Sequence, residues 1–277
     1  MITIPDIFLY PVFLGEILKI SGKTITAAIL DMDGVLWRSD QPICDLKDLF
    51  EEFSNRKVKV ILATNNGTHS IDQYQKKMAG FGVDLQEWQI VTSSMAVAFL
   101  AKKRFANGGP IYMMGSSALK EALMEQGFFH TTDNPQAVIA GLDWEFNYKM
   151  IKDTTLMIRT GIPFYFTNPD PTYPTPEGIV PGAGALLASL EAASGVKAQL
   201  AGKPEPFLFE LAMQRLNSTP QQTLVVGDRL STDILGGYEA GCTTIFVLSG
   251  VNNRNDLINW SPQPDFIIEN ICQLFSL

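Results

Sequence analysis

The sequence predicts an α/β protein with a doubly wound parallel sheet, Rossmann-like in outline, and an inserted α/β cap domain. Its 277 residues exceed the ~100–150 residues of one typical compact core, which favours two domains. Short β-rich runs alternate with helical patterns, and this alternation is typical of parallel βαβ units. The clearest predicted strands of the first domain lie at residues 27–30, 58–63, 223–226 and 244–248.

The middle of the chain predicts the second domain, because it has strand and helix patterns of its own. Strands are expected at 111–114, 137–140 and 164–167, and helices near 117–126 and 147–160. The run Asn107-Gly-Gly-Pro110 indicates an entry linker, and the chain is expected to return near 195–198. We therefore predict a core domain over 1–106 and 198–277 and a cap domain over 107–197. The Pro-rich run 168–178 predicts a stiff loop.

Composition and charge exclude several classes of protein. Apolar residues make up 46% of the chain and charged residues 18%, unlike a disordered chain. The net charge of -8 disfavours nucleic acid as a partner. No window approaches ~18 uninterrupted apolar residues, so no membrane span is predicted. We expect residues 7–20 to form a short amphipathic segment that packs on the core domain.

The cysteines favour a reduced, cytoplasmic location. Cys44, Cys242 and Cys272 are odd in number and far apart in the sequence. Their spacing matches neither a disulfide framework nor a Cys-x-x-Cys metal pair. The sequence therefore predicts a cytoplasmic protein whose fold is not held by disulfides.

Four carboxylates follow predicted strands, and together they predict a metal site. Asp31 and Asp33 come after the first strand, and Asp228 and Asp233 come after the third strand of the core domain. Ligands of open α/β sheets bind at the carboxyl ends of the strands, so these groups are expected to meet in one crevice. Carboxylates ~4 Å apart repel by roughly 4 kcal/mol per pair at an effective dielectric of about 20, so the cluster needs a cation. Oxygen ligands without His or Cys favour Mg²⁺.

Further residues predict that this crevice holds a phosphoryl group. Thr64 offers a hydroxyl, and Asn65 and Asn66 begin a turn whose N–H groups can hold an anion. Lys203 precedes two prolines that can begin a helix, and it is therefore expected near a positive helix end. A metal ion, a lysine and amide donors around a carboxylate neutralise a phosphoryl group in its transition state.

Within this site Asp31 is the candidate nucleophile and Asp33 the candidate acid and base. A carboxylate can attack phosphorus to give an aspartyl-phosphate. Asp33 can then protonate the leaving oxygen and later activate water. Taken alone, the run Asp31-Met-Asp33-Gly34 also fits an Asx-type turn that ends the strand.

Four segments resemble, in order, the four motifs of the haloacid dehalogenase superfamily. They are Ile29-Leu-Asp31-Met-Asp33-Gly-Val-Leu36, Ala63-Thr64-Asn65-Asn66, Gly202-Lys203-Pro204 and Gly227-Asp228-Arg-Leu-Ser-Thr-Asp233-Ile. Further segments, such as Thr167-Asn-Pro-Asp170, resemble subfamily IIA, the branch with p-nitrophenyl phosphatases and phosphoglycolate and pyridoxal phosphate phosphatases. The resemblance covers the chain from about residue 27 to its end.

The resemblance implies a role for each matching residue. Asp31 is implied as the nucleophile, Asp33 as the acid and base, and both, with Asp228, as ligands of Mg²⁺. Asp233 is implied to support these ligands. The residues that we expect to bind phosphate are Gly34, Thr64, Asn65, Asn66 and Lys203.

Motif spacing and motif composition refine the expected activity. The long segment between Thr64 and Lys203 places the cap late in the chain, as in the α/β-capped class. A carboxylate at position 33 argues for a phosphatase or mutase and against a dehalogenase. In pyridoxal-phosphate-type relatives a His of the Pro-rich cap loop approaches the substrate. Tyr173 takes that place here, so we expect Tyr173 to contact the substrate and disfavour pyridoxal phosphate.

The sequence therefore predicts a Mg²⁺-dependent phosphatase that hydrolyses small phosphomonoesters, p-nitrophenyl phosphate among them. The alternatives are a phosphatase specialised for phosphoglycolate or a nucleotide monophosphate, and a phosphate-ligand binder without catalysis. The expected partner is a small phosphorylated metabolite, with neither nucleic acid nor membrane, and a homodimer could form through the cap.

Four side chains have more than one interpretation in the sequence. Trp37 could line the crevice or pack the loop after the first motif. Asp143 could reach the crevice from the cap or cap a local turn. Asn168 and Asp170 are expected to face a ligand, because a Pro-stiffened loop holds side chains at low entropic cost.

Overall fold

Two parallel sheets flanked by helices form the protein, which confirms the predicted α/β fold class. The computed structural model describes residues 17–20, 22–175 and 177–276. The larger sheet has, in spatial order, the strands Phe266–Ile268, Thr243–Val247, Thr223–Gly227, Ala27–Leu30, Lys59–Thr64 and Ile90–Thr92. The helices of this part are Leu46–Asn55, Ile71–Gly80, Ser93–Arg104, Pro206–Leu216 and Leu235–Glu239, with shorter helical turns at Glu87–Gln89, Pro220–Gln222, Leu230–Ile234, Arg254–Leu257 and Ile271–Ser276.

The position of the first strand of this sheet defines the crevice. Ala27–Leu30 lies between Thr223–Gly227 and Lys59–Thr64, and all three are parallel. The chain builds one side of the sheet first and returns later to build the other side, so the strand order reverses next to Ala27–Leu30. Ligands of open α/β sheets bind at such a reversal. Asp31 and Asp228, which follow the two adjacent strands, are therefore placed side by side.

The smaller sheet is also parallel and is built mostly from the middle of the chain. Its strands, in spatial order, are Gln199–Leu200, Phe164–Phe166, Val138–Ala140, Gly109–Met114 and Phe128–His130. Its helices are Ser117–Glu125, Tyr148–Ile158 and Ala183–Ser194. Because Gln199–Leu200 pairs with Phe164–Phe166, the sheet extends a few residues past the segment 107–197.

Helix Ser93–Arg104 joins the two sheets through apolar packing. Its buried side chains Val97 and Leu100 belong to one cluster that takes Ile61 from the larger sheet and Ile139 from the smaller sheet. These side chains are at most 1% exposed. The crevice at the strand ends therefore lies between two sheets that share a continuous apolar core.

In the described part of the chain, three short antiparallel hairpins lie outside the two main sheets. They pair Lys19–Ile20 with Lys23–Thr24, Trp37–Arg38 with Gln41–Pro42, and Thr172–Thr175 with Gly178–Pro181. The last hairpin lies in the Pro-rich run, so the prediction of a loop was wrong for these residues. A two-stranded ribbon leaves one edge of each strand open, and a proline without N–H is tolerated at such an edge.

The N-terminal prediction is only partly within the described part of the chain. Residues 7–16 of the expected amphipathic segment lie outside it. Leu18 and Ile20 are described, and both are buried in the core of the larger sheet. None of the helices in the described ranges combines the length and apolar character that crossing a membrane requires.

The cysteine prediction was wrong for one pair, because Cys44 and Cys272 form a disulfide. Their Cα atoms lie 6.2 Å apart although 228 positions separate them in sequence. The fold brings them together by packing the C-terminal turn against helix Leu46–Asn55, where the rings of Phe53 and Phe275 lie 5.0 Å apart. Sequence spacing gives no signal for a contact between chain ends. Cys242 is free and buried.

Candidate active site

A cavity of about 280 Å³ opens between the two sheets at the carboxyl ends of the larger sheet. Every predicted site residue lines it: Asp31, Asp33, Gly34, Thr64, Asn65, Asn66, Tyr173, Lys203, Asp228 and Asp233. These residues come from loops after three neighbouring strands, from the Pro-rich hairpin and from the segment before helix Pro206–Leu216. The predicted convergence of the four segments in one crevice is therefore confirmed.

Lys203 is the buried cation at the floor of this cavity. Its Nζ lies 2.5 Å from Oδ1 of Asp31 and 2.6 Å from Oδ1 of Asp233, and it also donates to the carbonyl of Ala63 at 3.0 Å. The residue is only 3% exposed. Burial lowers the pKa of Lys203, but Asp233 and Asp31 more than offset that effect, so its pKa lies above the usual range. The ammonium group is therefore charged at every physiological pH.

The side chain of Asn65 fixes the backbone of Lys203. Its Oδ1 accepts from the Lys203 N–H at 2.8 Å, and its Nδ2 donates to the Lys203 carbonyl at 2.9 Å. Asn65 is itself held by Asn168, whose Nδ2 donates to the Asn65 carbonyl at 2.8 Å. Asn168 lines the cavity, as expected, but it is largely buried, and its amide also positions the second motif. The amide of Asn65 is likewise committed to Lys203 and not free for a ligand.

Asp228 carries the one unpartnered carboxylate oxygen among the buried side chains that the structure describes. Its Oδ2 accepts from the Val251 N–H at 2.6 Å, whereas its Oδ1 has no hydrogen-bond partner. Burial, reinforced by the charge of Asp233, raises the pKa of Asp228 to about 6. Gly34 has φ +87°, and a Cβ there would lie 2.5 Å from Asp228 Oδ2. Glycine at position 34 thus lets this carboxylate approach the first motif.

The acidic residues outnumber the cation that balances them. Single carboxylate oxygens of Asp31, Asp228 and Asp233 all lie within 4.8 Å of one another. Asp233 has the most hydrogen-bond donors of the three: besides the bond from Lys203 to its Oδ1, its Oδ2 accepts from the Arg229 N–H at 3.2 Å and the Thr232 hydroxyl at 3.4 Å. Burial raises the pKa of Asp31 well above its usual value, and Lys203 only partly opposes this. Three carboxylates and one lysine give the cluster a net negative charge, which a further cation would balance.

The loop after Lys59–Thr64 is ordered by its own side chains. The hydroxyl of Thr64 accepts from the Asn66 N–H at 3.0 Å, and Oδ1 of Asn66 accepts from the N–H and hydroxyl of Thr68. The N–H of Gly34 donates to the Trp37 carbonyl at 2.8 Å. The main-chain N–H groups of Gly34 and Asn66 are therefore already used, and these two residues shape the site without offering a free amide donor.

Tyr173 brings the Pro-rich hairpin to this loop. Its hydroxyl accepts from Nδ2 of Asn66 at 2.9 Å, and its ring packs edge-on against Trp144 with 5.6 Å between centroids. Burial and the negative charge of Asp33 raise the pKa of Tyr173. The phenol therefore stays protonated, and its O–H remains available to donate into the cavity.

The remaining open interpretations are resolved by direct contacts. Trp37 is buried in the loop, and its Nε1 donates to Oδ1 of Asp33 at 2.8 Å. Asp143 caps a local turn by accepting from the Glu145 N–H at 3.0 Å, and it is not part of the cavity wall. Asp170 does line the cavity, as expected.

Sequence reasoning missed several wall residues that lie outside the four motifs or had no assigned role within them. They include Arg38, Ser94, Ser116, Leu119, Leu142, Thr172 and Arg229. They lie in helices, hairpin strands and connecting segments, and how the two sheets pack decides which of them face the cavity. Single residues of this kind have no recognisable spacing.

Comparison with known proteins assigns the family. Models of haloacid dehalogenase-like hydrolases match residues 28–129 and 200–274. A 5'-nucleotidase of Bacillus subtilis is 30% identical over 252 residues, which span 91% of this chain and 98% of that protein. The structure of a Thermotoga maritima 4-nitrophenylphosphatase superposes with a TM-score of 0.85 at 31% identity, covering 91% and 97% of the two chains.

A third similar protein is a glycerol phosphate phosphatase of Mycobacterium tuberculosis, whose structure contains magnesium. It has a TM-score of 0.84 and 30% identity, covering 90% of this chain and 76% of the other. With the fold, the four motifs and these matches in agreement, the chain belongs to the haloacid dehalogenase-like hydrolases of subfamily IIA and is a phosphoric monoester hydrolase.

Proposed function

We propose that the chain is a Mg²⁺-dependent phosphatase that hydrolyses small phosphomonoesters through an aspartyl-phosphate at Asp31. The observation that supports this most is Lys203, which contacts Asp31 and Asp233 at the floor of an open cavity. Phosphoryl transfer needs such a fixed cation beside the nucleophile. The exposed carboxylate of Asp33 in the same cavity favours an enzyme over a phosphate binder without catalysis, because binding alone requires no acid.

The acidic residues fit a hard divalent cation. The unpartnered Oδ1 of Asp228 is buried beside Asp31, and a buried carboxylate oxygen without a donor is compensated by a cation. An all-oxygen ligand set favours Mg²⁺. We propose Asp31, Asp228 and the main-chain carbonyl of Asp33 as the protein ligands, with Asp233 supporting them through Lys203. When bound, the ion neutralises negative charge on the phosphoryl oxygens.

Asp31 and Asp33 divide the chemistry between them. In the first step a bond forms between an Asp31 oxygen and phosphorus, the ester P–O bond breaks, and Asp33 gives its proton to the leaving oxygen. In the second step water attacks phosphorus, Asp33 takes a proton from that water, and the bond to Asp31 breaks as inorganic phosphate forms. Thr64 and Lys203 hold the phosphoryl oxygens during both steps, and Asn65 supports them by fixing the backbone of Lys203.

The charge of the cavity wall favours a leaving group without negative charge. Among the described wall residues from 107–197 there is no Lys, Arg or His, and the charged one is Asp170. Burial raises the pKa of Asp170, and the nearby Arg229 of the core opposes that rise. A leaving group with a carboxylate, as in phosphoglycolate, would meet Asp170 and Asp33, whereas the two arginines of the wall, Arg38 and Arg229, come from the core and not from 107–197. Neutral alcohols such as glycerol, sugars or nucleosides fit better, and two relatives are named for such substrates.

The remaining features of the proposal concern architecture and location. We propose that the smaller sheet and its helices act as a cap that excludes water and selects the leaving group. Homodimerisation through this cap stays a prediction. A cytoplasmic location, with neither nucleic acid nor membrane as a partner, also stays a prediction, and the Cys44–Cys272 disulfide removes one of its grounds.

A hydrolysis assay tests the proposed function directly. We expect p-nitrophenyl phosphate and glycerol phosphate to be hydrolysed with Mg²⁺. Because of like-charge repulsion, kcat/KM for phosphoglycolate should be at least roughly tenfold lower than kcat/KM for glycerol phosphate. A chelator should stop turnover and added Mg²⁺ should restore it. Absence of turnover from pH 5 to 9 would favour the non-catalytic binder, whereas a preference for phosphoglycolate would contradict the argument from the wall charge.

The pKa of Asp228 predicts how Mg²⁺ and pH act together on stability. A folded-state pKa of about 6, above the usual value for Asp, means that protonation stabilises the ion-free protein. Its stability should therefore fall as the pH rises from about 4 to 6. Because Mg²⁺ competes with this proton, it should raise Tm by a few degrees at pH 7.5 and by less at pH 5.

Thermal unfolding with chelator and with Mg²⁺ at both pH values measures this effect. The matched control is Asp228→Asn, which keeps the shape of the side chain but removes its charge. This variant should show little Mg²⁺-dependent change in Tm at either pH. An equal Mg²⁺ effect at pH 5 and pH 7.5 in the wild type would contradict the assignment of Asp228 as a ligand.

A further inference from the structure

The carboxylate of Asp33 is held by a side chain that does not itself line the cavity. Trp37 donates its indole N–H to Oδ1 of Asp33 at 2.8 Å. Its ring is 1% exposed and belongs to the apolar core of the larger sheet. A hydrogen bond to a carboxylate from a buried donor is among the stronger hydrogen bonds in proteins.

The indole ring is fixed from two sides, and so is the position of its N–H. The Nζ of Lys77 lies 4.6 Å from the centre of the Trp37 rings, and Phe81 packs at a centroid distance of 6.1 Å. Lys77 is itself held by a hydrogen bond of 2.7 Å to the carbonyl of Ser39. The contacts that hold the donor therefore come from the protein and not from a group in the cavity.

Asp33 has one oxygen engaged and one oxygen available. Oδ1 accepts from Trp37, and the structure gives Oδ2 no partner among the described residues. Asp33 lines the cavity and is exposed to it. We propose that Trp37 is a positioning residue: it anchors Oδ1 of Asp33 so that Oδ2 faces the leaving oxygen. This inference rests on the proposed function, in which Asp33 is the acid.

The proposal predicts a dependence on the leaving group. When the ester P–O bond breaks, the O–H bond of Asp33 breaks and a new O–H bond forms on the leaving oxygen. A p-nitrophenolate leaves as a stable anion and needs little of this proton, whereas the alkoxide from benzyl phosphate needs it fully. A misplaced acid should therefore slow benzyl phosphate hydrolysis much more than p-nitrophenyl phosphate hydrolysis.

The test is Trp37→Phe, which removes the indole N–H and keeps an aromatic ring in the core. We expect kcat/KM for benzyl phosphate to fall roughly tenfold to a hundredfold, and kcat/KM for p-nitrophenyl phosphate to change by less than about threefold. The ratio kcat/KM is the quantity to compare, because it reports the step in which the leaving group departs and not the later attack of water, which both substrates share. Trp88→Phe is the matched control, because Trp88 is 41% exposed and lies outside the cavity wall. This control should leave both rates unchanged.

A double-mutant cycle separates positioning from a loss of structure. If Trp37 acts through Asp33, Trp37→Phe should slow benzyl phosphate hydrolysis little further in an Asp33→Asn background. Equal losses of kcat/KM on both substrates, or full additivity in the cycle, would overturn the proposal. A wild-type protein without any turnover would instead contradict the proposed function, so the two failures are distinguishable.

Discussion

Replacing Asp31 with Asn is expected to reduce turnover of p-nitrophenyl phosphate by about 10⁴-fold or more, because it removes the proposed nucleophile. The amide has nearly the same shape and can still accept a hydrogen bond from Lys203. Phosphoenzyme trapped by acid after mixing with labelled substrate should be present in the wild type and absent in Asp31→Asn.

The same substitution is expected to leave the free energy of unfolding unchanged or to increase it. The Asp31 carboxylate has an oxygen within 4.8 Å of oxygens of two buried carboxylates, Asp228 and Asp233, and desolvation raises its pKa well above the usual value. Removing one negative charge relieves that repulsion at neutral pH in the ion-free protein. Activity and stability should therefore change in opposite directions, which distinguishes a lost nucleophile from a damaged fold.

Asp143→Asn is the matched control for this prediction. Asp143 caps a turn outside the cavity by accepting from the Glu145 N–H, and an Asn side chain can accept in the same way. Neither turnover nor stability should change. Retention of substantial activity by Asp31→Asn would mean that water, and not Asp31, attacks phosphorus.

The sequence predicted the core sheet well because its strands are buried on both faces. Ala27–Leu30 and Thr223–Gly227 consist of short apolar runs that end in acidic residues, and their parallel pairing places those ends together. The meeting of these acidic residues at one edge of the sheet therefore follows from local sequence patterns and from one rule of sheet topology, the binding of ligands at the carboxyl ends of parallel strands. Residues such as Asp31 and Lys203 were within reach of sequence reasoning for this reason.

Contacts that depend on how elements pack were not predictable in the same way. The hydrogen bond from Trp37 to Asp33 requires a tight turn whose geometry no spacing rule specifies, so Trp37 had two equal interpretations. The Cys44–Cys272 pair joins elements at opposite ends of the chain. Asn168 lines the cavity as expected, but its hydrogen bond to the Asn65 carbonyl depends on the packing of the two sheets and was not predicted. In each case a tertiary contact decides where the side chain lies, and no local sequence pattern indicates that contact.

Lys203→Met is expected to have the second largest effect, and it should lower both activity and stability. Lys203 balances Asp31 and Asp233 at 2.5 and 2.6 Å in a site where it is 3% exposed. Methionine fills similar volume without charge, so the buried carboxylates lose their counter-ion. Breaking a buried ion pair from one side costs about 3–5 kcal/mol, and losing a cation at the phosphoryl group lowers kcat by roughly 10²–10³-fold.

Urea unfolding measures the loss of stability, and turnover of p-nitrophenyl phosphate measures the loss of activity. The pH dependence of the stability loss tests whether the missing charge causes it. The loss of stability should be smaller at pH 5 than at pH 8, because carboxylates whose pKa is raised by burial can take up protons in place of the missing cation. Lys149→Met, which breaks an equally short pair with Asp153 at the surface, should change neither quantity. If Lys203→Met kept wild-type stability at pH 8, Lys203 would not be the charge that holds this acidic cluster together.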